Sequence, residues 1–247
     1  MMRRMCGRYV LRRLKDWLDD AFAELKIRPD LSFLERYNIA PTQNVPAVRW
    51  EQDGPTLVNL RWGLIPSWAK DPSIGNRMVN ARAESLAEKP AFRTAFQRRR
   101  CLIPADGFYE WQTRAGQKQK QPHLIYLKND RPFAFAGIWD RWETPNETIE
   151  SFSIITTQAN SLIKPIHDRM PVILTGKNLD LWIRPIARET ELTSLLVSYD
   201  ATAMTHYPVS TTVNSPRNDD PSCMAPFKEN SLNSLWPAVF HDRKLEG

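Results

Sequence analysis

Cysteine is scarce in this sequence: Cys6, Cys101 and Cys223 are an odd three, with no C-x-x-C pair among them. That spacing excludes a disulfide framework and a structural zinc site, and it fits a reducing cytosol best. Glycine is scarce too, with nine residues against nineteen prolines. Many loop turns are therefore expected to be fixed by proline, and no Walker-type or other Gly-rich phosphate loop is found. No apolar run approaches the ~20 residues that a membrane-spanning helix needs, so a membrane partner is not expected. Only five residues precede Cys6, and none builds the apolar core of a secretory signal. No period of 20 to 50 residues repeats and no low-complexity linker divides the chain, which reads as one domain.

What is present points to a globular protein with a basic balance. The 247 residues are 42% hydrophobic and 25% charged, enough for one sizeable core. Thirty-four Lys and Arg against 28 Asp and Glu give a net charge of +6, which favours a polyanion such as nucleic acid. Segment 11–26 spaces Leu11, Leu14, Trp17, Leu18, Phe22 and Leu25 by threes and fours, the pattern of an amphipathic helix. From 45 onward the texture changes to strands. VPAVRW and PTLVNLRWG, joined by EQDG, read as a hairpin, and CLIPADGFYEWQ, HLIYLK, PFAFAGIWDRW and ESFSIITTQA follow as further strands. Short helices are expected at 90–99, at 160–166 and at 176–198, the last interrupted by Pro185. Hairpin-joined strands without strict βαβ alternation predict an α+β fold: one domain, an antiparallel and partly closed barrel-like sheet with short flanking helices.

Four segments carry reactive side chains. In M-C-G-R-Y, Cys6 follows a second plausible start methionine, Met5. As the first residue of the chain it would offer a thiol and an α-amine on adjacent carbons. An amine of pKa ~7.7–8.0 is partly neutral near pH 7, and a thiol of ~8.5 is partly thiolate beside a cation such as Arg8. Such a pair closes on an aldehyde to a five-membered thiazolidine, which an internal cysteine cannot do; the plainer alternative is a cysteine packed at a strand start. In M-V-N-A-R-A-E, Asn80 and Arg82 share a face if the segment is extended, although an Asx turn with a surface arginine explains the same residues. In A-D-G-F-Y-E-W, Glu110 lies among aromatics, where desolvation raises a carboxylate toward proton-transfer range. In I-H-D-R-M-P, His167 sits between apolar and charged neighbours; His123, His206 and His241 read as structural or surface residues.

Taken together these segments resemble the SRAP family, the SOS-response-associated peptidase-like proteins that shield abasic sites in single-stranded DNA. The resemblance runs from Cys6 to about Phe227 through MCGRY, RYNIAPTQ, RWGLIPSWA, VNARAES, FRTAFQRRRCLIPADGFYEW, SIITTQAN, IHDRMPVIL and VNSPRNDDPSC. It implies the family's barrel-like α+β fold with a basic DNA groove. It implies, too, that Cys6 forms a thiazolidine with the ring-opened abasic sugar while Asn80 orients the cysteine and sugar, Glu110 moves protons and His167 assists at the opened sugar. Thr156 would help to position the site. By the same resemblance Arg8 and Arg82 clamp phosphates, Trp68 is a stacking platform, and Asn38, Pro41, Arg61 and Lys70 are weaker backbone contacts. Family members carry this cysteine directly after the initiator methionine, whereas here MMRR precedes Met5. Residues 1–5 are accordingly expected to be a leader absent from, or removed from, the working protein, by a different start or by self-cleavage; 6–227 form the domain and 228–247 a peripheral tail.

The expected activity is abasic-site DNA–protein crosslinking in the DNA damage response, with lyase-type strand cleavage and self-cleaving peptidase activity beside it. No metal, cofactor or membrane is implied, the expected state is a monomer, and the expected location is cytoplasmic, on the nucleoid when DNA-bound. Two other readings use the same residues: a thiol peptidase acting on protein through Cys6 and His167, and a non-covalent single-strand binder that uses the basic groove alone.

Overall fold

β-favouring residues on either side of the turn EQDG make a central hairpin over 44–62, and hydrogen bonding outward from it builds the rest. The computed structural model describes residues 7–21, 26–27, 34–52 and 54–227. In chain order the main elements are β1 (Tyr9–Leu11), α1 (Leu14–Ala21), β2 (Lys26–Ile27), β3 (Arg36–Ile39), β4 (Asn44–Glu51), β5 (Gly54–Trp62), β6 (Asn80–Arg82) and α2 (Pro90–Arg98). They continue as β7 (Arg100–Ala105), β8 (Gly107–Gln112), β9 (Gln121–Leu127), β10 (Phe133–Thr144), β11 (Glu147–Gln158), β12 (Arg169–Pro171), β13 (Ile173–Leu174), α3 (Lys177–Ile183), α4 (Glu189–Ser194) and β14 (Met204–Pro208).

Five of these strands close into a barrel. β5 pairs with β4, with Leu57 opposite Val48, and β4 pairs on its other edge with β7, with Val48 opposite Leu102. β7 pairs with β10 and β10 with β11, all antiparallel. The ring is completed by a parallel seam in which Ser151 and Phe152 of β11 lie opposite Arg61 and Trp62 of β5. Closure satisfies the edges that an open sheet would leave unpaired. The expected antiparallel, barrel-like core with short flanking helices is found, and its closure uses one parallel joint.

A second antiparallel sheet, in the order β14-β9-β8-β1-β3, lies over the barrel. Its inward residues Tyr9, Phe108 and Ile125 join one buried cluster with Trp62, Phe135 and Phe152. The Tyr9 ring stands edge-on to Trp62 at 5.4 Å and to Phe135 at 5.6 Å, a geometry that adds ~0.5–1.5 kcal/mol per pair to the area buried. The outward face carries a smaller cluster of Val10, Tyr109, Leu124, Val209, Val213 and Cys223.

One residue sends the chain from barrel to sheet. The run CLIPADGFYEWQ, read as a single strand, splits at Asp106 into β7 and β8. The buried Asp106 carboxylate accepts from the Arg12 N–H at 2.6 Å, the Arg13 N–H at 3.2 Å and the Arg13 Nε at 2.6 Å. Its own N–H donates to the Val10 carbonyl at 2.8 Å. Gly107 follows because a side-chain carbon there would stand 2.8 Å from the Ile125 carbonyl oxygen.

Two helix expectations change. The helix expected over 11–26 begins only at Leu14, since Leu11 ends β1, and Lys26 belongs to β2; 22–25 lie outside the described residues. Segment 160–166 is a chain of turns, with the Lys164 N–H donating to Asn160 and the Ile166 and His167 N–H groups to Ile163, because Pro165 has no N–H to continue a helix. The break at Pro185 falls where expected, between α3 and α4. Among the described residues no helix is long and apolar enough to cross a membrane. Residues 1–5, Cys6 and the segment 228–247 lie outside the described residues.

Asp106→Ala would leave Arg13 Nε and two backbone donors at the crossing without their acceptor, with Asp130 still holding the other end of the guanidinium. Urea unfolding is expected to show a loss of about 3 kcal/mol; a loss under about 1 kcal/mol would mean that the crossing is held by something else.

Candidate functional site

Two glycines let the chain fold back from β5 into the site. Gly63 has φ +123°, and a side-chain carbon on either Gly63 or Gly75 would stand 2.6 Å from the carbonyl oxygen of the other. The loop between them closes onto the barrel. The Ser67 N–H donates to Asp140 Oδ2 at 3.0 Å and the Trp142 Nε1 to the Ala69 carbonyl at 2.7 Å, leaving Trp68 60% exposed between two anchors. Lys70 is exposed two residues on.

The returning chain enters β6 under tight control. Trp62 Nε1 donates to the Val79 carbonyl at 2.9 Å, and the Ile154 N–H reaches the same oxygen at 3.2 Å. β6 then runs parallel to β11, with Asn80 beside Ile154 and Arg82 beside Thr156. Asn80 is half-buried, Arg82 is exposed and Thr156 is buried. β12 pairs with the same stretch of β11 from its other edge, setting Pro171 opposite Thr156.

His167 ends the 160–167 turns and precedes β12. Its Nδ1 accepts the Arg169 N–H at 3.1 Å and lies 3.0 Å from Asp168 Oδ1, with the side chain only 8% exposed. These two contacts suit opposite protonation states, because Nδ1 accepts from Arg169 only when bare and donates to Asp168 only when protonated. Arg169 spans the site: its guanidinium holds Glu84 at 2.7 and 2.9 Å and the Thr156 carbonyl at 2.5 Å. A lone arginine in the sequence gave no sign of this bridge.

Glu110 arrives from the other sheet. β8 alternation sends Phe108 and Glu110 toward the barrel while Tyr109 packs in the outer cluster, its hydroxyl donating to the Tyr37 carbonyl at 2.9 Å. Glu110 is 2% exposed. Two residues along the same face, Gln112 Nε2 donates to the Pro165 carbonyl at 3.3 Å, so the turns that carry His167 lie against the Glu110 side of the sheet. The chain entering β1 comes to the same place. Tyr9 is opposite Phe108 and the Tyr109 N–H donates to the Arg8 carbonyl at 3.0 Å, so stepping back at this register sets Gly7 beside Glu110. Cys6, one peptide unit earlier, lies outside the described residues.

The remaining expected contacts divide. Arg8 donates to Asn38 Oδ1 at 3.1 Å and to the Val213 and Asn214 carbonyls at 2.8 and 3.3 Å, so this guanidinium is engaged within the fold. Asn38 is fully buried, its Nδ2 shared among the Val213, Ser215 and Asn218 carbonyls, so its place is to hold the 213–219 segment rather than to face a phosphate. Asp219 completes that clasp by accepting from the Tyr37 and Asn38 N–H groups at 2.6 and 2.8 Å and from Arg36 Nε. Arg61 is half-exposed, donating weakly to Gly63 and Asn76 at 3.3 Å, and Pro41 is half-exposed. Among the described residues no group of three or more His, Cys, Asp and Glu could hold a metal ion.

Residues 5–216 match the model of a family described as SOS response associated peptidase (SRAP). The chain belongs to the SRAP family. The abasic site processing protein YoqW of Bacillus subtilis strain 168 is 46% identical over 219 residues, 88% of this chain and 97% of its own. The mouse abasic site processing protein HMCES is 33% identical over 253 residues, 87% of this chain and 69% of its own. A solved structure of a protein from Bacteroides thetaiotaomicron superposes with a TM-score of 0.78 at 29% identity, covering 90% of this chain and all of that one.

In this SRAP chain a histidine that sequence reasoning set aside lies against the site. His123 is directly opposite Glu110, buried, and its Nδ1 is 3.1 Å from His206 Nδ1. Burial, with His206 and Arg114 nearby, lowers the His123 imidazole from 6.5 to about 4, and burial lowers His206 as well. The folded protein therefore binds fewer protons here than the unfolded chain, so stability rises with pH across this interval and is lost as pH falls from 6.5 toward 4. Urea midpoints between pH 7 and pH 4 are expected to show that fall, and His123→Gln to flatten it; an unchanged slope in the variant would contradict the assignment.

Proposed function

We propose that this SRAP protein processes abasic sites in single-stranded DNA by capturing the opened sugar on Cys6, as the head of the chain, in a thiazolidine. The observation that carries the proposal is the register of β1 on β8, which delivers the residues just after Cys6 to the buried Glu110. The names of YoqW and HMCES support the substrate.

The chemistry runs in three balanced steps. The Cys6 amine adds to the C1′ aldehyde, and a proton passes from nitrogen to oxygen to give a carbinolamine. Glu110 gives a proton to that hydroxyl, water leaves, and an imine forms. The Cys6 sulfur then adds to the imine carbon while nitrogen takes the thiol proton, so the product is the sum of the reactants less one water. A carboxyl group held nearly dry is suited to both giving and regaining the proton. His167 assists ring opening at the sugar oxygen, and Asn80, half-buried at the head of β6, orients the amine and sugar.

DNA contacts come from the exposed rim. Trp68 offers a stacking face that tolerates any base, Arg82 a phosphate clamp, and Arg61, Lys70 and Pro41 flanking contacts. Arg8, Asn38 and Thr156 hold the walls from within. The protein acts as a monomer without a cofactor, in the cytoplasm and on the nucleoid when bound to DNA. Lyase-type cleavage and self-removal of residues 1–5 belong to the same reading.

A denaturing gel of the protein with single-stranded DNA containing one abasic site tests it. The expected result is a heat-stable shifted band that Cys6→Ala abolishes, that Glu110→Gln forms about 10²–10⁴ times more slowly, and that Trp68→Ala weakens by about 1–3 kcal/mol in prior binding. Equal retention of intact and abasic strands with no covalent band, unaffected by Cys6→Ala, would replace it with simple strand binding.

A further inference from the structure

The outward face of the five-stranded sheet carries a recess that the proposed chemistry leaves unused. It measures roughly 380 Å³, within the ~300–1,000 Å³ typical of small-molecule sites. It lies on the opposite side of the sheet from Glu110, because its floor is Val10 and Leu124, members of the cluster that Tyr109 joins. The ring of Tyr126 meets that of Tyr207 at 5.9 Å and 80° along one wall, and Met224 lies beside them.

Charge in the recess is unbalanced. Of the two acids that border it, Asp106 and Asp130 are both paired with Arg13, at 2.6 and 3.1 Å. With Arg12 and Lys128 added, three cations face those two carboxylates, an excess of one positive charge. Arg12 lines the recess with its Nε buried and without an acceptor among the described residues, and its charge pulls against the burial that raises the Tyr109 and Tyr207 hydroxyls. A buried guanidinium nitrogen lacking an acceptor calls for an anion.

We infer that this recess binds one nucleotide unit, its base against the Tyr126 and Tyr207 rings and its phosphate on Arg12 and Lys128. An apolar ligand would leave the arginine uncompensated, and a bare anion would leave the aromatic wall uncovered. A sheet face with aromatic rings and flanking cations is suited to a base with its phosphate. The unit comes either from a free mononucleotide or from a strand crossing the sheet, and the inference stands apart from the chemistry of Cys6.

Photolabelling the full chain with 5-iodo-2′-deoxyuridine 5′-monophosphate, and separately with an intact oligonucleotide carrying one 5-iodouracil, tests it. The expected adducts map to the peptides containing Tyr126 or Tyr207, are suppressed by thymidine 5′-monophosphate far better than by thymidine, and fall about tenfold in Arg12→Gln. Lys128→Gln serves as a second variant if Arg12→Gln fails to fold. Labelling by the mononucleotide assigns a free ligand, and labelling by the oligonucleotide alone assigns a strand. No adduct on either peptide from either probe, equal suppression by thymidine, or labelling indifferent to folded Arg12→Gln would overturn the inference. Covalent capture of abasic DNA is expected to be unchanged in Arg12→Gln, so the two readings fail separately.

Discussion

The Asp106 carboxylate governs the architecture. It lets one uninterrupted β-favouring run serve two sheets, holding the start of α1 with two backbone bonds and the Arg13 side chain with a third. Without that crossing β8 would continue along the barrel, and Glu110 would have no second sheet from which to face it. The crossing also fixes β1, since the N–H of Asp106 bonds to Val10 and the N–H of Tyr109 to Arg8. The path of Gly7 and Arg8 into β1 therefore follows from a buried carboxylate some hundred positions later.

The site is assembled from pieces that could not hold their positions alone. β6 is three residues long, far too short to be stable by itself, and it survives because Trp62 and Ile154 both bond to the Val79 carbonyl just ahead of it. Arg169 joins the exposed end of that piece, at Glu84, to β11 at Thr156. Burying such groups is unfavourable unless each is paired, so the polar wall is rigid where it is satisfied. Trp68 and Arg82 stand exposed on this frame.

Much of the frame was legible in the sequence. The 44–62 hairpin, α2 and the break at Pro185 follow from period and turn chemistry acting over short distances. The parallel seam that closes the barrel was not legible, because it is two residue pairs between segments some ninety positions apart. The 160–166 segment imitates a helix through Leu162, Ile163 and Ile166, and only Pro165 betrays it. Cys6, Glu110 and His167 drew attention by their chemistry, whereas Arg169, Asp219 and His123 did not, since their importance lies in partners that distant strands bring to them. Arg8 and Asn38 show the converse: residues in telling motifs whose side chains the fold turns to its own support.

The central claim is that an unblocked amine and thiol on residue 6, delivered by β1 to Glu110, take the sugar aldehyde. Mass spectrometry of the digested adduct, formed without any reductant, tests this most directly. The account predicts a peptide that begins at Cys6 and carries the sugar fragment less one water. An adduct on a lysine that survives only after borohydride reduction, or one on Cys6 with Met5 still attached, would contradict it.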